Sequence, residues 1–270
     1  MSGFLNHLRL ELKVGIRNPG LQFMLHLFPI GFVTLMGLVM VELNPVFKDT
    51  MTASMPIFGL MVGPLLALPP MIVEQREQGV FRSYRVHGLP SLAVATIPGI
   101  AFFVHTLALS IVLTVMCVFL FGGAAPISWI GFILALVPIG LVFCSLGLVI
   151  GVVSSSNRTA TVLSQAIFLP SMLIGGLMVP ASVLPEKLQT AAYLLPSSHA
   201  MEFLFDLGWG MQDRADTLGH GLVLVATAML AIISSIVLFR WDQNTQPAGR
   251  HWSIAIITVL PVAIFVLGGI

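Results

Sequence analysis

Charged residues are scarce in this chain of 270 residues. They fill 9% of positions, against about 25% in an ordinary soluble domain. Apolar residues reach 57%, and the mean hydropathy is +1.01. No soluble core of this size buries so much apolar surface, so the composition excludes a water-soluble globule and calls for a bilayer. Cysteine is nearly absent. Cys117 and Cys144 both fall inside apolar runs without metal-ligand spacing, which reads as two small core residues rather than a redox or metal centre. An apolar leader core is missing as well, because Arg9, Glu11, Lys13 and Arg17 interrupt the opening segment; no cleavable signal peptide is expected. The chain shows no internal repeat and no basic patch of the kind nucleic acids require.

What is abundant is uninterrupted apolar sequence. A hydrocarbon core about 30 Å thick needs roughly 20 apolar residues in helix. Seven runs meet or approach that length: Leu21–Val41, Met51–Val73, Leu92–Phe121, Ile127–Ser154, Ala160–Val179, Gly221–Phe239 and Ser253–Ile270. None contains Asp, Glu, Lys or Arg, and a charge at mid-bilayer costs at least about 2.5–3.5 kcal/mol. The runs are continuous rather than alternating, which excludes a spanning β-barrel. Arg9, Lys13, Arg17, Arg76, Arg82, Arg85, Arg158, Arg240 and Arg250 fall on one side, and only Lys48, Lys187 and Arg214 on the other. That asymmetry predicts a cytoplasmic N-terminus. Gly147 and Gly151 form a small-xxx-small pair that admits a close helix neighbour, and prolines within the runs, among them Pro29, Pro69, Pro70, Pro98, Pro138 and Pro170, predict kinks and freed carbonyls.

Three segments lie outside the runs. Residues 3–17 predict a surface helix, with Phe4, Leu5, Leu8, Leu12 and Ile16 on one face and His7, Arg9, Lys13 and Arg17 polar; Leu10 and Val14 fall off that face. In Glu74–Pro90, Glu74 and Glu77 precede a short helix, whose positive N-terminal end suits carboxylates. Gly79 supplies a bend, and Val80, Phe81 and Tyr84 share a face opposite Arg82 and Arg85. Two readings fit this element: a helix that docks in a groove of another protein, or a solvated basic loop with lipid-facing aromatics. After the fifth run, prolines 185 and 196 bracket a short amphipathic helix, and Ser197 or Ser198 would cap the next one. A re-entrant hairpin or outer lid and a helix resting on lipid both fit.

Taken in order, these segments resemble the permease subunits of the ABC type-2 exporter family over nearly the whole chain. The residues that carry the resemblance are Arg17-Asn18-Pro19 with Phe28-Pro29, then Glu74-Gln75-Arg76-Glu77-Gln78-Gly79 with Pro90, then Met178-Val179-Pro180, Leu184-Pro185 and Leu195-Pro196. The resemblance implies an all-α integral membrane protein: an interfacial helix in 1–20, a six-span bundle in 21–239 and a cytoplasmic linker in 240–270. Within the bundle it implies a cytoplasmic coupling loop at 74–91 and an extracellular segment at 180–218. Ser253–Ile270 would add a seventh span outside the family pattern. It further implies a cell-membrane location, a second permease copy, and a separate ATP-binding subunit resting on Glu74, Arg76, Glu77, Gly79, Phe81 and Tyr84. Closure of that subunit would tilt the second and third spans. The sequence has no G-x-x-x-x-G-K-S/T phosphate loop, so ATP and Mg belong to the partner; no cofactor or catalytic residue is expected on this chain.

Within the runs, Gln165, Ser171 and His105 are the residues of a possible substrate path, and helix packing is the competing role for each. His26 and His105 lack a carboxylate partner in any run. Ser198, His199 and Asp206 hold the residue types of a hydrolytic triad, but adjacent Ser and His do not face each other on a helix. Two other functions compete with the exporter. A secondary transporter or channel would ordinarily keep acidic residues in its spans. A non-transporting scaffold or immunity protein would only sequester a partner.

Overall fold

The computed structural model describes residues 2–43, 47–179, 184–210 and 214–241. Ser253–Ile270 and part of the Met178–Pro180 signature lie outside them. Every regular element among the described residues is helical. Helix α1 (Ser2–Arg17) precedes α2 (Pro19–Leu43), which opens where the Asn18 side chain accepts from the amides of Gly20 and Leu21, with Pro19 in the first turn. Helix α3 runs through Phe47–Val62, Gly63–Ala67 and Leu68–Glu77. A short α4 (Val80–Val86) leads to α5 (Ser91–Phe121), α6 (Trp129–Val153) and α7 (Asn157–Ile174). The small helices α8 (Glu186–Ala192) and α9 (Pro196–Trp209) precede α10 (Arg214–Leu238).

Among the described residues, five helices are long and apolar enough to cross a membrane: α2, α3, α5, α6 and α10. The apolar run Ala160–Val179 is not one continuous helix. Helix α7 stops at Ile174, because Gly175 and Gly176 follow and Gly176 adopts φ +86°, a left-handed turn that only glycine takes at little cost. Exposed apolar side chains such as Leu38, Phe119, Ile130 and Leu222 cover the outside, a surface that lipid, not water, stabilises. The inside is built on α3, which is 83% buried over its span, whereas α2 is 22% buried and lies at the rim.

Prolines shape the two helices at the first seam. In both α2 and α3 the turn just before a proline widens to π geometry: Phe23–Leu27 before Pro29, and Gly63–Ala67 before Pro69 and Pro70. A proline cannot donate to the carbonyl four residues back, so the ladder slips to i→i−5, with Phe28 donating to Phe23 and Leu68 to Gly63. The two widened turns abut, and a β-carbon at Gly63 would overlap Leu25. Gly147 and Gly151 also act as expected from their spacing. They let α6 ride directly on α3, where added β-carbons would overlap the Pro64 carbonyl and stand 2.8 Å from Ile72. Cys117 and Cys144 are free and buried.

Three local expectations are corrected. Glu74, Gln75, Arg76 and Glu77 form the last turn of α3 rather than a loop, so the two carboxylates stand at a helix C-terminus, the end where the dipole disfavours them. The buried stripe of α1 is His7, Glu11 and Gly15, while Leu5, Leu10, Val14 and Ile16 are exposed. The small side of α1 faces α5, and its apolar side chains are left for lipid. Ser198 does not cap α9; its hydroxyl donates to the Ala192 carbonyl at the end of α8, 2.7 Å away.

Candidate coupling site

The segment from Glu74 to Leu89 forms a hairpin of two helix ends with separate inner and outer faces. Its bend is set by Gly79, at φ 74° and ψ 13°, between α3 and α4. No atom lies within 4 Å of a β-carbon built there, so the demand for glycine is torsional, worth roughly 1–2 kcal/mol against an ordinary residue. At the far end Leu89 donates to the Tyr84 carbonyl and Gly88 to that of Arg85, closing α4.

The inner face is anchored by two side chains. Phe81 is 2% exposed, in a small core with Leu68, Ile72, Val94 and Leu148, and stacks on Phe239 with ring centroids 5.4 Å apart. Arg76 is also turned inward. Its guanidinium donates to the Val152 carbonyl at 3.0 Å and to the Ser154 carbonyl, the last acceptors of α6, where a cation complements the helix dipole. Tyr84 is half-buried, edge-on to His7 of α1 at 4.7 Å.

Around Tyr84, burial governs the charges. His7 and Glu11 approach to 3.5 Å, but desolvation pushes the imidazole pKa down and the carboxyl pKa up, each toward its neutral form. Burial, with the Glu11 carboxylate second, likewise raises Tyr84.

The outer face carries Glu74, Glu77, Arg82, Ser83, Arg85 and Val86, all exposed. Six expected coupling residues thus divide: Glu74 and Glu77 face outward, Gly79 makes the bend, and Arg76, Phe81 and Tyr84 hold the hairpin to the bundle. The expected substrate-path residues do not come together. Gln165 and Ser171 lie on α7, which packs on α3; the Gln165 carbonyl oxygen and the fully buried Ser171 hydroxyl lack a hydrogen-bond partner among the described residues. His105 lies on α5 beneath α1, close against Gly15 and edge-on to His26 at 5.9 Å.

Two features escaped the sequence reading. Arg76 reads as a loop cation until its two carbonyl acceptors, 76 and 78 residues away, are known. At the opposite end, His199 bonds the Tyr193 carbonyl through Nε2 and His220 through Nδ1, both at 2.9 Å. The carbonyl requires the proton on His199 Nε2, so His220 Nδ1 is the donor in the imidazole pair. Asp206 accepts from Thr217 at 2.8 Å. Ser198, His199 and Asp206 are therefore bonded to four other residues, Ala192, Tyr193, His220 and Thr217.

This arrangement defines a polytopic helical membrane protein with an anchored, polar-faced hairpin at the basic end of its second long span. The chain belongs to the ABC-2 type transporter family, whose description matches residues 4–207. It is also similar to YvfS of Bacillus subtilis (strain 168), which carries the name of a transport permease: 26% identity over 189 residues, 67% of this chain and 73% of that protein. The family makes this chain a multi-pass, non-catalytic transport permease.

Proposed function

We propose that this permease is the membrane half of an ATP-driven exporter in the cell membrane, with its N-terminus in the cytoplasm. Two copies would enclose the cargo path, and a separate ATP-binding chain would dock on the outer face of residues 74–87. The uncharged spans suit an amphipathic, lipid-like or polymeric cargo. The observation that carries this reading is the division of the hairpin. Arg76 and Phe81 fix it rigidly to the bundle, while Glu74, Glu77, Arg82 and Arg85 present both signs of charge outward. Two carboxylates kept at an unfavourable helix end are explained by an external partner. ABC-2 permeases generally work with an ATP-binding subunit, which supports the same reading.

Gentle solubilisation of the tagged chain from its native membrane tests it. A stoichiometric companion carrying a phosphate-loop motif is expected, and it is expected to be lost from the Glu74→Ala/Glu77→Ala variant. A chain that purifies alone through several mild detergents would overturn the reading in favour of a carrier or scaffold.

A further inference from the structure

We propose that Arg76 is the positioning residue that carries motion of the 74–88 hairpin into α6 and the α6–α7 corner, making α3 and α6 one moving body. The inference deepens the docking reading and rests on it. Its geometry has three parts along one seam. Near the middle of α3, Gly147 brings α6 against the Pro64 carbonyl, at the widened turn. One turn on, Gly151 meets Ile72. At the basic end the Arg76 fork spans the carbonyls of Val152 and Ser154. Small residues give the seam close backbone contact, and such contacts resist separation. The fork supplies direction: two charge-assisted bonds from one planar group oppose both rotation and sliding of the α6 end.

Ser154 is where α6 stops, and Ser156 caps α7 by accepting from Thr159 at 3.3 Å. A pull on Arg76 therefore arrives at the hinge between α6 and α7. Helix α7 carries three buried polar groups, at Ser164, Gln165 and Ser171, with no hydrogen-bond partner among the described residues, so movement at its base changes what those groups face. The expectation that force passes to the second and third spans thus becomes a route through the second and fourth, arriving at the fifth. The hairpin also touches α5, through α4.

Hydrogen exchange by mass spectrometry on wild type, Arg76→Lys and Arg76→Gln, in nanodiscs, separates the outcomes. In the chain alone, Arg76→Gln is expected to speed exchange at 150–160 about tenfold or more, the factor implied by losing a charged hydrogen bond, with α5 unchanged. In the wild-type complex with its ATPase, ATP plus vanadate is expected to alter exchange at both 74–88 and 150–160. In Arg76→Gln the change is expected to stop at 74–88, and in Arg76→Lys, which keeps the charge without the fork, to reach 150–160 weakened. If Arg76→Gln does not purify, the lysine variant carries the test. A nucleotide response at 150–160 that survives undiminished in the variants overturns the proposal. A wild-type complex with no response at 74–88 overturns the docking reading and the transmission with it, whereas a response confined to 74–88 in wild type overturns the transmission alone.

Discussion

The two ends of the bundle both bury titratable side chains, but they hold them differently. At the end that carries the 74–88 hairpin, Arg76 is bonded twice to the end of α6, yet His7 against Tyr84 has no hydrogen-bond partner on either ring nitrogen among the described residues. At the opposite end His199 is bonded through both nitrogens, and Asp206 through Thr217. The second cluster ties α9 to α10 with specific geometry; the first packs α1 and α4 together through burial and ring contact. A joint held by oriented bonds resists displacement, while one held by packing slides at smaller cost. The hairpin end thus combines one link of oriented bonds, to α6, with a softer one, to α1.

The largest expected effect lies on the inner face of the hairpin. Phe81→Ala empties the centre of the small core at the basic end and is expected to cost about 3–5 kcal/mol, seen as a lower melting temperature of the purified chain in detergent. Glu74→Ala/Glu77→Ala, on the outer face, is expected to leave that temperature within the small range of ordinary surface changes, about 0.5 kcal/mol. Equal losses from the two variants would mean that the outer face is also structural, and the division of the hairpin would fail.

A smaller effect probes the opposite end. Desolvation, with His220 second, holds His199 down at about 4, against 6.5 for a free imidazole. Below pH 6.5 the unfolded chain takes up this proton and the folded one does not, so stability falls as pH drops from 6.5 through about 4. His199→Gln keeps a donor for Tyr193 but strands the His220 Nδ1 proton. It is expected to cost about 1–3 kcal/mol at pH 7 and to flatten the loss between pH 7 and 5 in a melting series. An unchanged acid slope would place the acid sensitivity elsewhere.

The spans were legible because they depend on composition over twenty-residue windows, and a bilayer enforces that composition. The bend at Gly79, the aromatic face of α4 and the Gly147–Gly151 contact were legible too, since each follows from local spacing. The inward turn of Arg76 was not. Its acceptors are backbone carbonyls on another helix, and a carbonyl leaves no trace in residue type. The burial of His7 and Glu11 was not legible for a related reason. A surface helix puts its apolar side on lipid and its charges in water, and nothing in the spacing marks the third side, His7, Glu11 and Gly15, that meets protein. The break after Ile174 turned on two glycines inside an otherwise apolar run, where hydropathy outvoted backbone chemistry.

The smallest expected effect tests the soft link directly. Burial holds the Glu11 carboxyl above its ordinary 4.5. Above that pH the unfolded chain releases the proton while the folded one keeps it, so Glu11 removes stability as pH rises through its raised value. Glu11→Gln stays neutral throughout and keeps the side-chain volume close. It is expected to be neutral or slightly stabilising at pH 7, by under about 1 kcal/mol, and to lessen the decline in melting temperature as pH rises above 4.5. His7 contributes in the other direction, since its lowered pKa costs stability below 6.5, and the His7→Gln/Glu11→Gln pair isolates the carboxyl from it. A marked loss of stability in Glu11→Gln at pH 7 would show that the carboxylate is ionised and paired in the folded chain. The α1 joint would then be a charged lock like the Arg76 fork, and the contrast between a rigid and a sliding link at this end would disappear.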